Sequence, residues 1–163
     1  MNLICRKRYA LASVFLLAAG SAYAGDPAVG VWKLDVLHSK FSSDPAPLSE
    51  LRIYAETPEG TKVTVKTVNR EGKETVTEYP VVFDGKDQVR PGYASGTSIV
   101  LKRDNDYHAS AVVKHAGTVM ADVQRSITDD GATMTITYKG KNETGDPIDR
   151  VLIYHRVVDG QSR

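Results

Sequence analysis

The chain has a single cysteine, Cys5, in 163 residues. That cysteine lies ahead of an apolar N-terminal run, and once the leader is removed no thiol remains. The rest of the chain is thereby denied a disulfide, a cysteine nucleophile, a zinc–thiolate site and an iron–sulfur cluster. An excess of one charge is also missing, with 21 lysines and arginines against 20 acidic residues. Such a balance gives no electrostatic reason to expect nucleic acid or an anionic membrane as partner. Tryptophan occurs once, as Trp32, and after residue 52 leucine occurs only at Leu101 and Leu152. Long apolar runs are scarce as well. The run Ala10–Ala19 falls well short of the ~20 residues that span a bilayer, so no integral membrane segment is expected after processing.

What surrounds that run reads as an export signal. Arg6, Lys7 and Arg8 precede it, and Ala22-Tyr23-Ala24 follows with the small-x-small pattern of a cleavage site. Residues 1–24 are therefore predicted to be a signal peptide and residues 25–163 a single domain, periplasmic or secreted. Loss of the three basic residues leaves that domain slightly acidic.

Within 25–163, Val, Ile, Thr and Tyr dominate, a bias that suits a pleated, half-buried surface better than a helix. The period agrees. Leu51, Ile53 and Ala55 alternate with Arg52, Tyr54 and Glu56. Val63 and Val65 alternate with Thr64 and Lys66, and Met134, Ile136 and Tyr138 with Thr135, Thr137 and Lys139. One apolar and one wet face is the expectation for antiparallel strands over a core. Turn residues punctuate the chain at Pro58-Glu59-Gly60, Glu71-Gly72, Asp84-Gly85, Ala116-Gly117, Asp130-Gly131 and Gly145-Asp146-Pro147. The spacing predicts strands at 30–36, 50–56, 62–69, 75–83, 86–90, 97–103, 107–115, 118–127, 133–140 and 148–158. Asp84-Gly85 carries the two-residue hairpin pattern, and Pro80 places an edge or irregularity in its strand. The expected fold is all-β, an antiparallel up-and-down meander closing into a β-barrel of about 8–10 strands. A two-sheet sandwich is the alternative.

The first strand opens Gly30-Val31-Trp32-Lys33-Leu34-Asp35. A Gly-x-Trp there, followed by a meander, resembles the lipocalin-like (calycin) barrels, although the Thr-Asp-Tyr block of true lipocalins is absent. The resemblance implies that Gly30 lets the chain enter the barrel tightly and that Trp32 plugs its closed end. It also implies a basic residue from a late strand over the indole, Arg156 or Arg150. The stretch Gly30–Phe41, with Asp84-Gly85-Lys86-Asp87, is similar to small exported bacterial lipocalin-like proteins without an assigned activity. Trp32-x-Leu34-Asp35-x-x-His38-Ser39 further resembles the opening of the periplasmic YceI-like family, whose members hold a polyisoprenoid chain in a barrel.

Every second connection of a ten-strand meander falls at one end, so 37–49, 70–74, 91–96, 116–117 and 141–147 should share a mouth. His38, Arg90, Tyr93 and His115 would then stand near it, as a polar ring orienting a ligand's head group or as a solvated loop set. Ala109, Ala111 and Ala121, the last between Val119 and Val123, are predicted to point inward. They leave either a cavity or a tightly packed core. Catalytic patterns are scarce. The four histidines, His38, His108, His115 and His155, show no i,i+2 pair and no HExxH, and no Gly-x-Ser-x-Gly elbow exists. The functional expectation is an exported, non-enzymatic protein that binds a small apolar molecule of lipid or isoprenoid type, with no cofactor and no metal. The alternative is a protein-interaction module acting through its loops around a filled core, its partner unknown.

Overall fold

A chain this rich in β-branched residues, with turn residues every few positions, is obliged to satisfy its backbone by pairing neighbour to neighbour. The computed structural model describes residues 25–42, 45–89, 92, 94–142 and 144–158. The predicted signal peptide 1–24, Arg90 and Tyr93 lie outside the described residues. Ten strands form: β1 (Gly30–Leu34), β2 (Ser49–Thr57), β3 (Gly60–Val68), β4 (Glu74–Val81), β5 (Gln88–Val89), β6 (Thr97–Arg103), β7 (His108–His115), β8 (Thr118–Ile127), β9 (Thr133–Lys141) and β10 (Pro147–Val157). All belong to one antiparallel sheet in the order β4-β3-β2-β1-β10-β9-β8-β7-β6-β5. Because β1 pairs with both β2 and β10, the first and last strands meet and the sheet curls into an open barrel. Among the described residues no helix is long and apolar enough to cross a membrane.

The barrel is open at one seam, between β4 and β5, and this corrects the hairpin expected at Asp84-Gly85. The turn exists, with Lys86 N–H on the Asp84 carboxylate at 3.0 Å, but β5 pairs only with β6 among the described strands. A type I′ hairpin needs positive φ at both central residues. Only Gly85 has it here, at 70°. Asp87 is meanwhile held away from β4 by Ser98 at 2.7 Å and Lys114 at 3.2 Å. The primed turn lies elsewhere, at Ala116 (φ 47°) and Gly117 (φ 81°) between β7 and β8. Across the seam the contacts come from side chains and a loop. The Arg103 guanidinium lies 4.8 Å from the Phe83 ring centre, and Gly92 sits against Thr77 of β4.

Two further expectations change. On β2 the interior face is Glu50, Arg52 and Tyr54, not Leu51, Ile53 and Ala55. Register decides it: Arg52 stands opposite Trp32 and Val65, and Tyr54 opposite Val63, all on the inner surface. On β8, Ala121 and Val123 do point inward, but Val119 is 57% exposed. The register between β7 and β8 shifts between Val113 and Lys114, so Met120 is an extra, bulged residue and the alternation reverses beyond it. Gly140 faces this bulge. A Cβ on it would stand 2.0 Å from the Met120 carbonyl oxygen, so only glycine admits the close approach. The inward faces of β3 and β9 are as the alternation predicts, with Val63, Met134 and Ile136 buried.

Candidate functional site

The closed end is built from three residues. Trp32 is fully buried, and its indole N–H donates to the Ala28 carbonyl at 2.8 Å. Arg156, opposite it on β10, lays its guanidinium 4.2 Å from the indole centre. Its Nε donates to the Gly131 carbonyl and its Nη1 to that of Val29, both at 2.7 Å, and its Nη2 to that of Pro27. One side chain thus ties the N-terminal approach, the β8–β9 turn and the last strand together. Gly30 (φ 137°) is required beneath it, since a Cβ there would lie 2.5 Å from Arg156 Nη1. Of the two candidate arginines, Arg156 covers the tryptophan, and Arg150 faces the interior instead.

Above this floor the interior is partly hollow. A lower chamber of about 80 Å³ is lined by Ala109, Ala111, Val63, Ile99, Leu101, Val123 and Ile136, with Arg52, Arg125, Tyr54, Tyr79 and Tyr138 among them. An upper cavity of about 590 Å³ opens at the mouth, between Val113, His115, Met120, Ala121, Ile148 and Leu152, with Glu50, Arg52, Tyr138, Lys141 and Arg150. Arg52 and Tyr138 line both and form the partition between them. The mouth loops contribute Ala94, Asn142 and Thr144. A side recess of about 380 Å³ under Pro45–Pro47 shares Glu50, Arg150 and Leu152.

The interior polar groups are unevenly satisfied. Arg52 Nε donates to Glu50 at 2.9 Å and to the Tyr154 hydroxyl at 3.0 Å, while that hydroxyl donates to Glu50 at 2.7 Å. Burial works against the charged Arg52, but Tyr154, Tyr79, Tyr138 and Glu50 around it outweigh that cost and hold its pKa above the ordinary arginine value. Burial pushes the Tyr154 phenol well up, so it stays a donor. Arg125, inward on β8 and 8% exposed, has no hydrogen-bond acceptor for Nε or Nη2 among the described residues. Its guanidinium stands 5.7 Å from the Tyr54 ring centre, and that of Arg150 stands 6.0 Å from Tyr138.

The sequence candidates are divided by this geometry. Ala109 and Ala111 line the lower chamber, Ala121 the upper cavity. His115 stands at the mouth, its Nδ1 3.2 Å from the Thr97 hydroxyl. His38 does not join it. After Leu34 the chain makes an outward turn around Asp35, whose carboxylate accepts from the backbone of Leu37 and His38, and His38 is exposed on the outer wall. There Asp35 Oδ2 receives His38 Nδ1 at 2.8 Å and His155 Nε2 at 3.2 Å. Those bonds, the His38 side chain first and its backbone second, lower the Asp35 pKa from 3.8 to about 2. Among the described residues no three His, Cys, Asp or Glu side chains are placed to hold a metal ion.

The chain matches no family model and no curated protein. The residues not anticipated in the cavity are Glu50, Arg52, Arg125 and the tyrosines. A signal for Arg125 was present, since Ala121, Val123, Arg125 and Ile127 form one alternating set in which a single charge breaks an apolar face.

Proposed function

We propose that this is an exported, periplasmic or secreted, lipocalin-like protein that binds a small molecule with a substantial apolar body inside its barrel. The carrying observation is the cavity of about 590 Å³ at the mouth, adjoining the lower chamber through the Arg52–Tyr138 partition. Its size falls within the 300–1,000 Å³ of typical small-molecule pockets, and its lining combines apolar side chains, Val113, Met120, Ala121, Ile148 and Leu152, with a polar and charged set that could orient a head group. The interlock of Gly30, Trp32 and Arg156 supports the lipocalin-like reading, because it seals one end and leaves the other for access. A module acting through its loops alone would require a filled core, and the two cavities speak against that.

The test is titration with the neutral apolar probe N-phenyl-1-naphthylamine, on wild type and on Ala121→Phe. Wild type should bind stoichiometrically and melt at a higher temperature with probe, since a ligand selective for the native state at 100 times its Kd adds about 2.7 kcal/mol. A phenyl at position 121 should occupy the upper cavity, block binding and leave melting nearly unchanged. No binding by wild type, together with a strongly destabilised Ala121→Phe, would reject the proposal.

A further inference from the structure

We infer that Arg125 is an anion anchor, and that the ligand is an amphiphile bearing a carboxylate on an apolar chain, bound with its charged end innermost. This inference rests on the binding function proposed above and names its ligand class. Arg125 is 92% buried on the wall of the lower chamber, and among the described residues its Nε and Nη2 meet no acceptor. Arg52, one strand away from the floor, shows the opposite arrangement, with Glu50 and Tyr154 both in bonding distance. Glu50 is the one carboxylate lining either cavity among the described residues, and it is already engaged by Arg52, Tyr154 and Thr67. It therefore leaves Arg125 without a carboxylate among the described residues, facing the ring of Tyr54 at 5.7 Å.

A buried guanidinium whose Nε and Nη2 meet no acceptor is costly, and arginine cannot escape by losing its proton. Such a group persists where function requires it. The planar guanidinium fork fits a carboxylate in two parallel hydrogen bonds. The chamber, at about 80 Å³, favours a compact head group such as a carboxylate. Its apolar walls, Ile99, Leu101 and Ile136, would receive the first methylenes of the chain. The remainder passes Arg52 and Tyr138 into the upper cavity, among Val113, Met120 and Leu152.

Calorimetric titration with dodecanoate, 1-dodecanol and acetate, on wild type, Arg125→Met and Arg150→Met, decides the matter. Wild type should prefer dodecanoate over dodecanol by roughly 10- to 100-fold, the factor conferred by a hydrogen bond to a charged group. Arg125→Met should bring dodecanoate down to the affinity of dodecanol, leave dodecanol unchanged, and melt at the same or a higher temperature. Arg150→Met should retain the preference. Equal binding of the acid and the alcohol by wild type, or a preference that survives Arg125→Met, overturns the inference and leaves the apolar cavity standing. Loss of the preference in Arg150→Met instead would place the anion at the mouth and overturns it too. Acetate binding as tightly as dodecanoate overturns the amphiphile, and failure of both long-chain compounds overturns inference and binding function together. Should Arg125→Met not fold, Arg125→Lys, which keeps the charge without the fork, must still weaken dodecanoate selectively.

Discussion

Replacing Arg156 by methionine separates hydrogen bonding from packing at the closed end. The methionine stem keeps apolar contact over Trp32, while the bonds to the carbonyls of Gly131, Val29 and Pro27 are lost. A hydrogen bond from a charged donor contributes about 1.5–3 kcal/mol net, and a cation over an indole face about 0.5–2 kcal/mol. The contributions do not add in full, because the guanidinium is only half-buried and the freed carbonyls regain water. We expect Arg156→Met to cost about 2–4 kcal/mol. Trp32→Ala, which empties a fully buried site and strands the Ala28 carbonyl, should cost about 3–5 kcal/mol. The double variant should cost less than the sum, since the two side chains touch. Urea unfolding provides the assay. Trp32, the sole tryptophan, should emit in the blue when native and shift red in one step, and circular dichroism follows the variants that lack it. An Arg156→Met protein within 0.5 kcal/mol of wild type would refute the claim that this side chain holds the barrel end together.

Gly140→Ala should destabilise by at least the 1–3 kcal/mol typical of overpacking, since the new Cβ meets backbone atoms of Met120 and Ala121 that no rotamer change can move; chemical denaturation measures it, and a neutral result would remove the bulge from the fold. Asp35 makes stability depend on pH. Its folded pKa, about 2, lies below the ordinary 3.8, so its contribution is present above pH 3.8 and is lost as pH falls through 2. Asp35→Asn should therefore be less stable than wild type at pH 6, with the difference closing below pH 2, and thermal melts across that range would expose a constant gap as a failure.

Strand positions were legible because two independent signals coincide, β-branched alternation and turn residues with fixed backbone demands. Strand ends were less so. β1 stops at Leu34 rather than at residue 36 because the Asp35 carboxylate captures the amides of Leu37 and His38 and turns the chain outward. That same turn carries His38 away from the mouth. The inner face of β2 departs from the hydropathy pattern for a different reason. Arg52 and Glu50 neutralise each other and bond Tyr154, so a polar face can line the interior, and hydropathy alone does not distinguish that from a face in water. The bulge at Met120 left no mark in composition, because it depends on what Gly140 across the ladder permits. Hence the alanines of the cavity were legible, while of its charges Arg125 marks the alternation on β8 and Glu50 and Arg52 do not stand out from a wet face.

An unbroken ring of ladders fixes a barrel's girth, because widening it means rupturing backbone hydrogen bonds. This barrel lacks that hoop at the β4–β5 seam, where Phe83 against Arg103 and Thr77 against Gly92 do the fastening. Side chains can slide or change rotamer without breaking any ladder, so among the described strands the seam is where the wall can yield to a guest bulkier than the resting cavity. The same opening leaves strand edges unpaired, a standing invitation to another chain. Pro80, which has no N–H to offer, and a β5 of only two residues, Gln88–Val89, keep those edges poor templates. Elasticity of the container and resistance to aggregation thus meet in one short stretch of sequence.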